Sequence, residues 1–170
     1  MHLLVRCLSV AILAVVAGCG FHLRGNIRLS PSLARVRVTS SDPGGALRAN
    51  IEDTLRRSGA TIEVNPGDGI AEIAMTNVAT STNVGSVGTN ARVNEFVMVY
   101  HVDLEITDGN GKVVLPKQPI EQNRRFTFDQ TQAVGMGAEQ EQIQREMLRD
   151  ITQAIVRKID VLERKLNQTQ

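Results

Sequence analysis

Phe96-Val97-Met98-Val99-Tyr100-His101-Val102-Asp103-Leu104-Glu105-Ile106-Thr107-Asp108-Gly109-Asn110-Gly111 is the stretch that decides the fold. Phe96, Met98, Tyr100, Val102, Leu104 and Ile106 occupy every second position, and His101, Asp103 and Glu105 fall between them. A period of two sends the two sets to opposite faces of a strand, whereas a helical turn would scatter the apolar set around its circumference. Asp108 to Gly111 then carries the turn chemistry of a tight reversal into an antiparallel neighbour. The stretch sets up a sheet with one buried face and one wet face.

Working outward, a following strand is expected from about Lys112 to Asp129, broken or bulged around Pro116 and Pro119, which have no N–H for a central ladder. Its last part puts Phe126 and Phe128 on one face and Arg125 and Thr127 on the other. Upstream, a strand is expected from about Ile70 to Thr80, with Ala71, Ile73 and Met75 inward. The polar, glycine-rich run Ser81 to Asn90 then reads as a hairpin tip. Asn65 to Gly69 is a turn cluster, and a short extended piece is possible between Ala60 and Val64. A first strand spans Ala34 to Thr39, where Ala34, Val36 and Val38 alternate with Arg35, Arg37 and Thr39.

Two stretches have helical spacing. Asp42-Pro43 opens the first, Asp42 as an acceptor for unsatisfied N–H groups and Pro43 preset for the first helical position. Leu47, Ile51 and Leu55 recur every four residues until Gly59 supplies a left-handed cap. The second runs from about Ala138 to Leu166, near 43 Å at 1.5 Å per residue. Its stripe is Ile143, Met147, Ile151, Ala154, Ile155, Ile159, Leu162 and Leu166, which reads as core, the alternative being a face laid on a membrane. The order implies an α+β two-layer sandwich, a mostly antiparallel or mixed four-stranded sheet with two helices packed on one face.

The N-terminus belongs to another process. Arg6, an apolar run from Cys7 to Val16, and Val16-Ala17-Gly18-Cys19 describe a secretory signal peptide. The cysteine after the cut marks the bacterial lipoprotein version. A transmembrane anchor is the alternative, but the run is about half of the ~20 residues needed to cross hydrocarbon. The expected organisation is signal peptide 1–18, lipidated tether 19–32 beginning at Cys19, and one domain over 33–170. Gly20 stands where an aspartate usually signals retention in the inner membrane, which points to the outer membrane.

Composition removes several function classes. Lys and Arg number 19 against 18 Asp and Glu. Cleavage takes away only Arg6, so the mature chain is close to neutral and has no field to steer it onto nucleic acid. Cys7 leaves with the signal and lipid consumes Cys19, which leaves no disulfide and no cysteine metal site. With no Trp and few other aromatics, the core must be aliphatic.

Little in the chain suggests reaction chemistry. His101, Asp103 and Glu105 share a strand face at steps of about 6.6 Å, too wide for three ligands on one metal, so a solvated face or a barrel contact is expected. Gly85-Ser86-Val87-Gly88 fits a short RNA-loop pattern but has no basic neighbours and reads as a turn. No nucleophile stands with a base. No metal and no cofactor beyond the lipid on Cys19 are expected, and the chain is not read as an enzyme.

Cys19-Gly20-Phe21-His22-Leu23-Arg24-Gly25 resembles the mature start of the LptE family of lipopolysaccharide-assembly lipoproteins. Pro31-Ser32-Leu33, Leu55 to Gly59, Glu95-Phe96, Phe126 to Asp129 and the Glu-rich final helix continue the resemblance. It implies a non-enzymatic subunit that plugs the lumen of the outer-membrane β-barrel LptD, assists its folding and binds lipopolysaccharide. The chain would be held by its lipid on the periplasmic side of the outer membrane. Lipid phosphates call for cations, preferably the planar fork of Arg, and the candidates are Arg92, Lys117, Arg124 and Arg125. Members are thought to carry a second basic contact in the loop before the final helix, but here Gln130 to Gly137 has neither Lys nor Arg. A free-standing lipid-binding carrier lipoprotein is the other reading.

Overall fold

The computed structural model of the protein describes residues 31–42, 44–87, 93–127 and 136–168. The signal segment, Cys19, the tether before Pro31, Pro43, Arg92, Phe128 and residues 130–135 of the loop before the final helix lie outside the described residues.

A single 3-10 turn, Pro31–Leu33, leads into β1 (Arg35–Ser40), followed by α1 (Ala46–Arg57), β2 (Thr61–Glu63), β3 (Ala71–Val87), β4 (Val93–Thr107), β5 (Val113–Thr127) and α2 (Met136–Gln168). The strands form one sheet in the order β2-β1-β3-β4-β5. β1 runs parallel to both its neighbours, and the β3–β4 and β4–β5 pairs are antiparallel. α1 packs on β1 and β2, α2 on β4 and β5, and the helices touch each other, so both cover one face. This is the expected α+β sandwich.

The sheet has five strands, not four. The added one, β2, is three residues long, too short to display a period. It exists because the chain leaving α1 is laid beside β1, where Thr61 N–H donates to Ala34 O at 2.8 Å, and Thr61 sits opposite Arg35. A second difference concerns β3, which continues from Thr80 to Val87 through the segment expected to be a hairpin tip. Ser81 to Ser86 are exposed on both faces, so no apolar alternation marks them. Their strand geometry comes from pairing with β4, down to Val87 opposite Val93. Ala34, expected inward, is exposed and precedes β1.

The layers meet where the periodicities put them. Val36, Ala71, Ile73, Val102, Leu104 and Ile106 from the sheet are fully buried, as are Leu47 and Ile51 of α1 and Met147, Ile151, Ile155 and Ile159 of α2. Each of these side chains except Ala71 contributes about 1.5–3 kcal/mol by leaving water. The α2 stripe is therefore core. At α1 the Asp42 carboxylate accepts from Leu47 N–H at 3.1 Å, satisfying a donor in the open first turn, and Gly59, at φ 95°, ends the helix. Phe96 and Phe126, opposite each other on β4 and β5, stack at 5.6 Å.

Two of the register shifts in the sheet bear on its surfaces. β3 carries an extra residue between Thr76, opposite Asp103, and Ala79, opposite His101. Asn77 there takes φ 52°, a left-handed bulge conformation that Asn tolerates. β5 bulges between Leu115, opposite Ile106, and Gln118, opposite Leu104. Pro116 falls inside that bulge on an edge strand, where a missing N–H costs nothing.

Candidate functional site

The face of the sheet away from the helices is its most distinctive surface. Because β4 alternates, His101, Asp103 and Glu105 emerge there, beside Arg37 and Glu72 from the two strands on one side and Glu121 from the other. Most of these charges, Glu105 apart, are matched on the face. Arg35 donates twice to Glu63, at 2.9 and 3.0 Å. Glu72 accepts from Arg37 and from Thr39, each at 3.2 Å. The His101 ring lies between two carboxylates, Nδ1 at 2.8 Å from Glu121 and Nε2 at 3.2 Å from Asp103. Asn77 donates to the other Asp103 oxygen at 2.8 Å, so the bulge aims this side chain at the cluster.

Electrostatics follow from that arrangement. The Glu121 carboxylate bonded to the ring raises the His101 pKa above its ordinary value; desolvation opposes it, and the Asp103 charge adds to the rise. Both ring nitrogens face acceptors that cannot donate when ionised, a geometry that suits the imidazolium. Glu105 stands opposite Ala74, outside the cluster. Among the described residues no group of three His, Cys, Asp or Glu side chains has the arrangement to hold a metal ion. On the covered face, burial and then the Asp42 charge raise the Tyr100 pKa.

The cations singled out from the sequence do not form one constellation. Arg92 lies outside the described residues. Lys117 is exposed within the β5 bulge. Arg124 sits opposite Met98 on the helix-bearing face and is held by Asp150 of α2 at 2.5 Å. Arg125, opposite Val97, emerges on the uncovered face. Neighbours on a strand point to opposite faces, so the structure separates Arg124 from Arg125. Sequence reading missed the partners that occupy these groups, Asp150 for Arg124 and Asn77 for Asp103. The Asn77 contact had no local signal, because it depends on an extra residue in one strand.

Two open clefts flank the helices. One, of about 530 Å³, lies between the start of α1, the β3 bulge and the first half of α2, with Tyr100, Val78 and Leu148 in its wall. The other, of about 680 Å³, runs between β5 and the second half of α2. Among the described residues no helix is long and apolar enough to cross a membrane.

Comparison with known proteins supplies the family. Residues 33–159 match the family model LptE, described as lipopolysaccharide-assembly. An LPS-assembly lipoprotein LptE of Photorhabdus laumondii is 27% identical over 158 residues, 93% of this chain and 85% of the relative. One from Yersinia enterocolitica is 31% identical over 164 residues, 95% of this chain and 77% of the relative. Among solved structures, the lipoprotein B of Nitrosomonas europaea superposes with a TM-score of 0.68 at 26% identity, over 83% of this chain and 90% of that one. The rare lipoprotein B of Shewanella oneidensis shares the fold with a TM-score of 0.67 at 18% identity, over 78% of this chain and 98% of that one. With a family match that takes in both layers of the sandwich and relatives that align over nearly the whole sequence, the chain belongs to the LptE family of lipopolysaccharide-assembly lipoproteins.

Proposed function

We propose that this chain is an outer-membrane lipoprotein, acylated at Cys19, that fills the lumen of the β-barrel LptD, assists its assembly and binds lipopolysaccharide on its way to the cell surface. The observation that carries the reading is the uncovered sheet face, polar and with seven of its charged or titratable side chains, Arg35, Arg37, Glu63, Glu72, His101, Asp103 and Glu121, paired among themselves. A wide barrel has a wet, polar interior, and barrels of about 22 strands are wide enough to hold a plug. Charges already paired on that face enter such a lumen without being stranded, which limits the desolvation penalty of docking. Acyl chains on Cys19 anchor the plug to the leaflet beside the barrel wall, each buried methylene adding about 0.8 kcal/mol. Arg92, which in sequence falls between the end of β3 and the start of β4, is the first cation assigned to lipid phosphate.

Photo-crosslinkers at Val84, exposed on β3, and Val99, on the uncovered face, test the placement in intact outer membranes. Adducts to a β-barrel at both positions are expected. Extraction of the chain without any barrel companion refutes the plug. Arg92→Ala weakens lipopolysaccharide binding, and unchanged binding removes Arg92 from the contact.

A further inference from the structure

The second cleft lies at the end of the molecule where the chain enters the fold. Val36 pairs with Ala71, Glu72 with Thr107 and Thr107 with Val113. The starts of β1, β3 and β5 therefore share one end of the sheet, with β5 about 14 Å across from β1 at strand spacings near 4.8 Å. α2 runs back along β5, Asp150 bonded to Arg124 and Lys158 to Gln118 at 2.8 Å, so its last turns lie over that same end.

Leu115 and Leu162 form part of the cleft floor, and Arg157, Lys158 and Lys165 stand in its lining. Among the described residues no carboxylate lines it. Val161, in the wall, is 51% exposed, and Val113, at the start of β5, is 50% exposed. An apolar trough with a one-signed basic rim is complementary to an amphiphile with an anionic head. Arg157 is exposed with no ion-pair partner among the described residues, and Lys158 donates to a neutral amide. The stretch from Cys19 to Pro31 extends to at most about 43 Å at up to ~3.6 Å per residue, which confines this end of the fold to that distance from the bilayer that holds the anchor.

We infer that the β5–α2 groove docks an anionic glycerophospholipid of the leaflet that carries the Cys19 acyl chains; this rests on the anchor assigned above. The phosphodiester meets Arg157 and Lys158, and the first acyl carbons lie along Val161 and Leu162. Attraction of basic residues to an anionic surface falls off within a Debye length, about 8–10 Å, so the tether confines the groove near the bilayer and the basic rim holds it once the two come within that distance.

The chain has no Trp, so Val161→Trp, at an exposed position, introduces a single reporter. The acylated protein is reconstituted in nanodiscs of phosphatidylcholine alone or mixed with phosphatidylglycerol, with bromine on the acyl chains of either lipid. Quenching of the tryptophan by brominated phosphatidylglycerol is expected. With phosphatidylcholine alone, in high salt, or with Arg157→Glu added, that quenching is lost. A chain that does not stay on the disc at all overturns the anchor and the inference with it. A chain retained on the disc whose tryptophan is not quenched, or is quenched equally in neutral lipid, overturns the groove alone. A tryptophan indifferent to lipid but shifted in emission when the barrel partner is added assigns the groove to protein and likewise overturns the inference.

Discussion

Replacing Gly109 by alanine should unfold this protein more readily than its single added methyl suggests. Gly109 lies in the β4–β5 turn, and Gly69 N–H donates to its carbonyl at 3.0 Å. A Cβ at position 109 would lie 2.7 Å from the carbonyl carbon of Gly69 and 2.9 Å from its Cα and its oxygen. All three atoms are backbone, so no rotamer change relieves the contact. Gly69 is itself held at φ 71°, in the region few other residues adopt. Overpacking costs about 1–3 kcal/mol, and losing the hydrogen bond adds about 0.5–1.5 kcal/mol. A total near 2–4 kcal/mol at about 2–4 °C per kcal/mol lowers Tm by roughly 4–16 °C. Gly137→Ala is the matched control, since nothing lies within 4 Å of a Cβ there and the residue is in the first turn of α2. Alanine there should stabilise by a few tenths of a kcal/mol, up to about 1. Thermal and urea unfolding followed by circular dichroism reads both variants, with the denaturant slope unchanged if only stability moves. Equal Tm values for the two variants would refute the argument that the Gly69–Gly109 approach requires glycine.

Three further outcomes are expected. Ile155→Ala, at a fully buried α2 position, should lose about 2–5 kcal/mol in urea unfolding; a loss under about 1 kcal/mol would mean that α2 does not seal the core. Arg124→Ala breaks a pair whose side chains are 49% and 35% exposed, so solvent screening limits the loss to about 0–1 kcal/mol, shrinking further in high salt; a larger, salt-independent loss would show that the pair is desolvated. The His101 pKa is raised in the fold, so its contribution is fully present below the unfolded value near 6.5 and disappears as pH rises through the folded value. Glu121→Gln should move the NMR titration of the His101 ring to lower pH, and an unmoved curve would exclude Glu121 as the principal cause.

Much of the architecture follows from side-chain period alone. The alternation in β4 and the four-residue steps of Leu47, Ile51 and Leu55 each place an apolar stripe, and burial of one stripe against the other forces the two layers. The same alternation put His101 and Asp103 on the exposed side of the sheet. The limits of legibility are equally local. β3 beyond Thr80 has no buried face to leave a pattern, and β2 is too short to have one. The candidate cations looked alike in the sequence because charge says nothing about partners. Only the fold puts Asp150 beside Arg124.

By itself the sequence determined the two helices, the orientation of the long hairpin strands and the family resemblance, because these reside in spacing and in short motifs that local stereochemistry reads directly. The tertiary structure decided the fifth strand, the Asn77–Asp103–His101–Glu121 cluster and the basic groove between β5 and α2. Each of those depends on which segments lie side by side and in what register, which is settled by pairing and packing between parts distant in the chain and not by the pattern within any one of them.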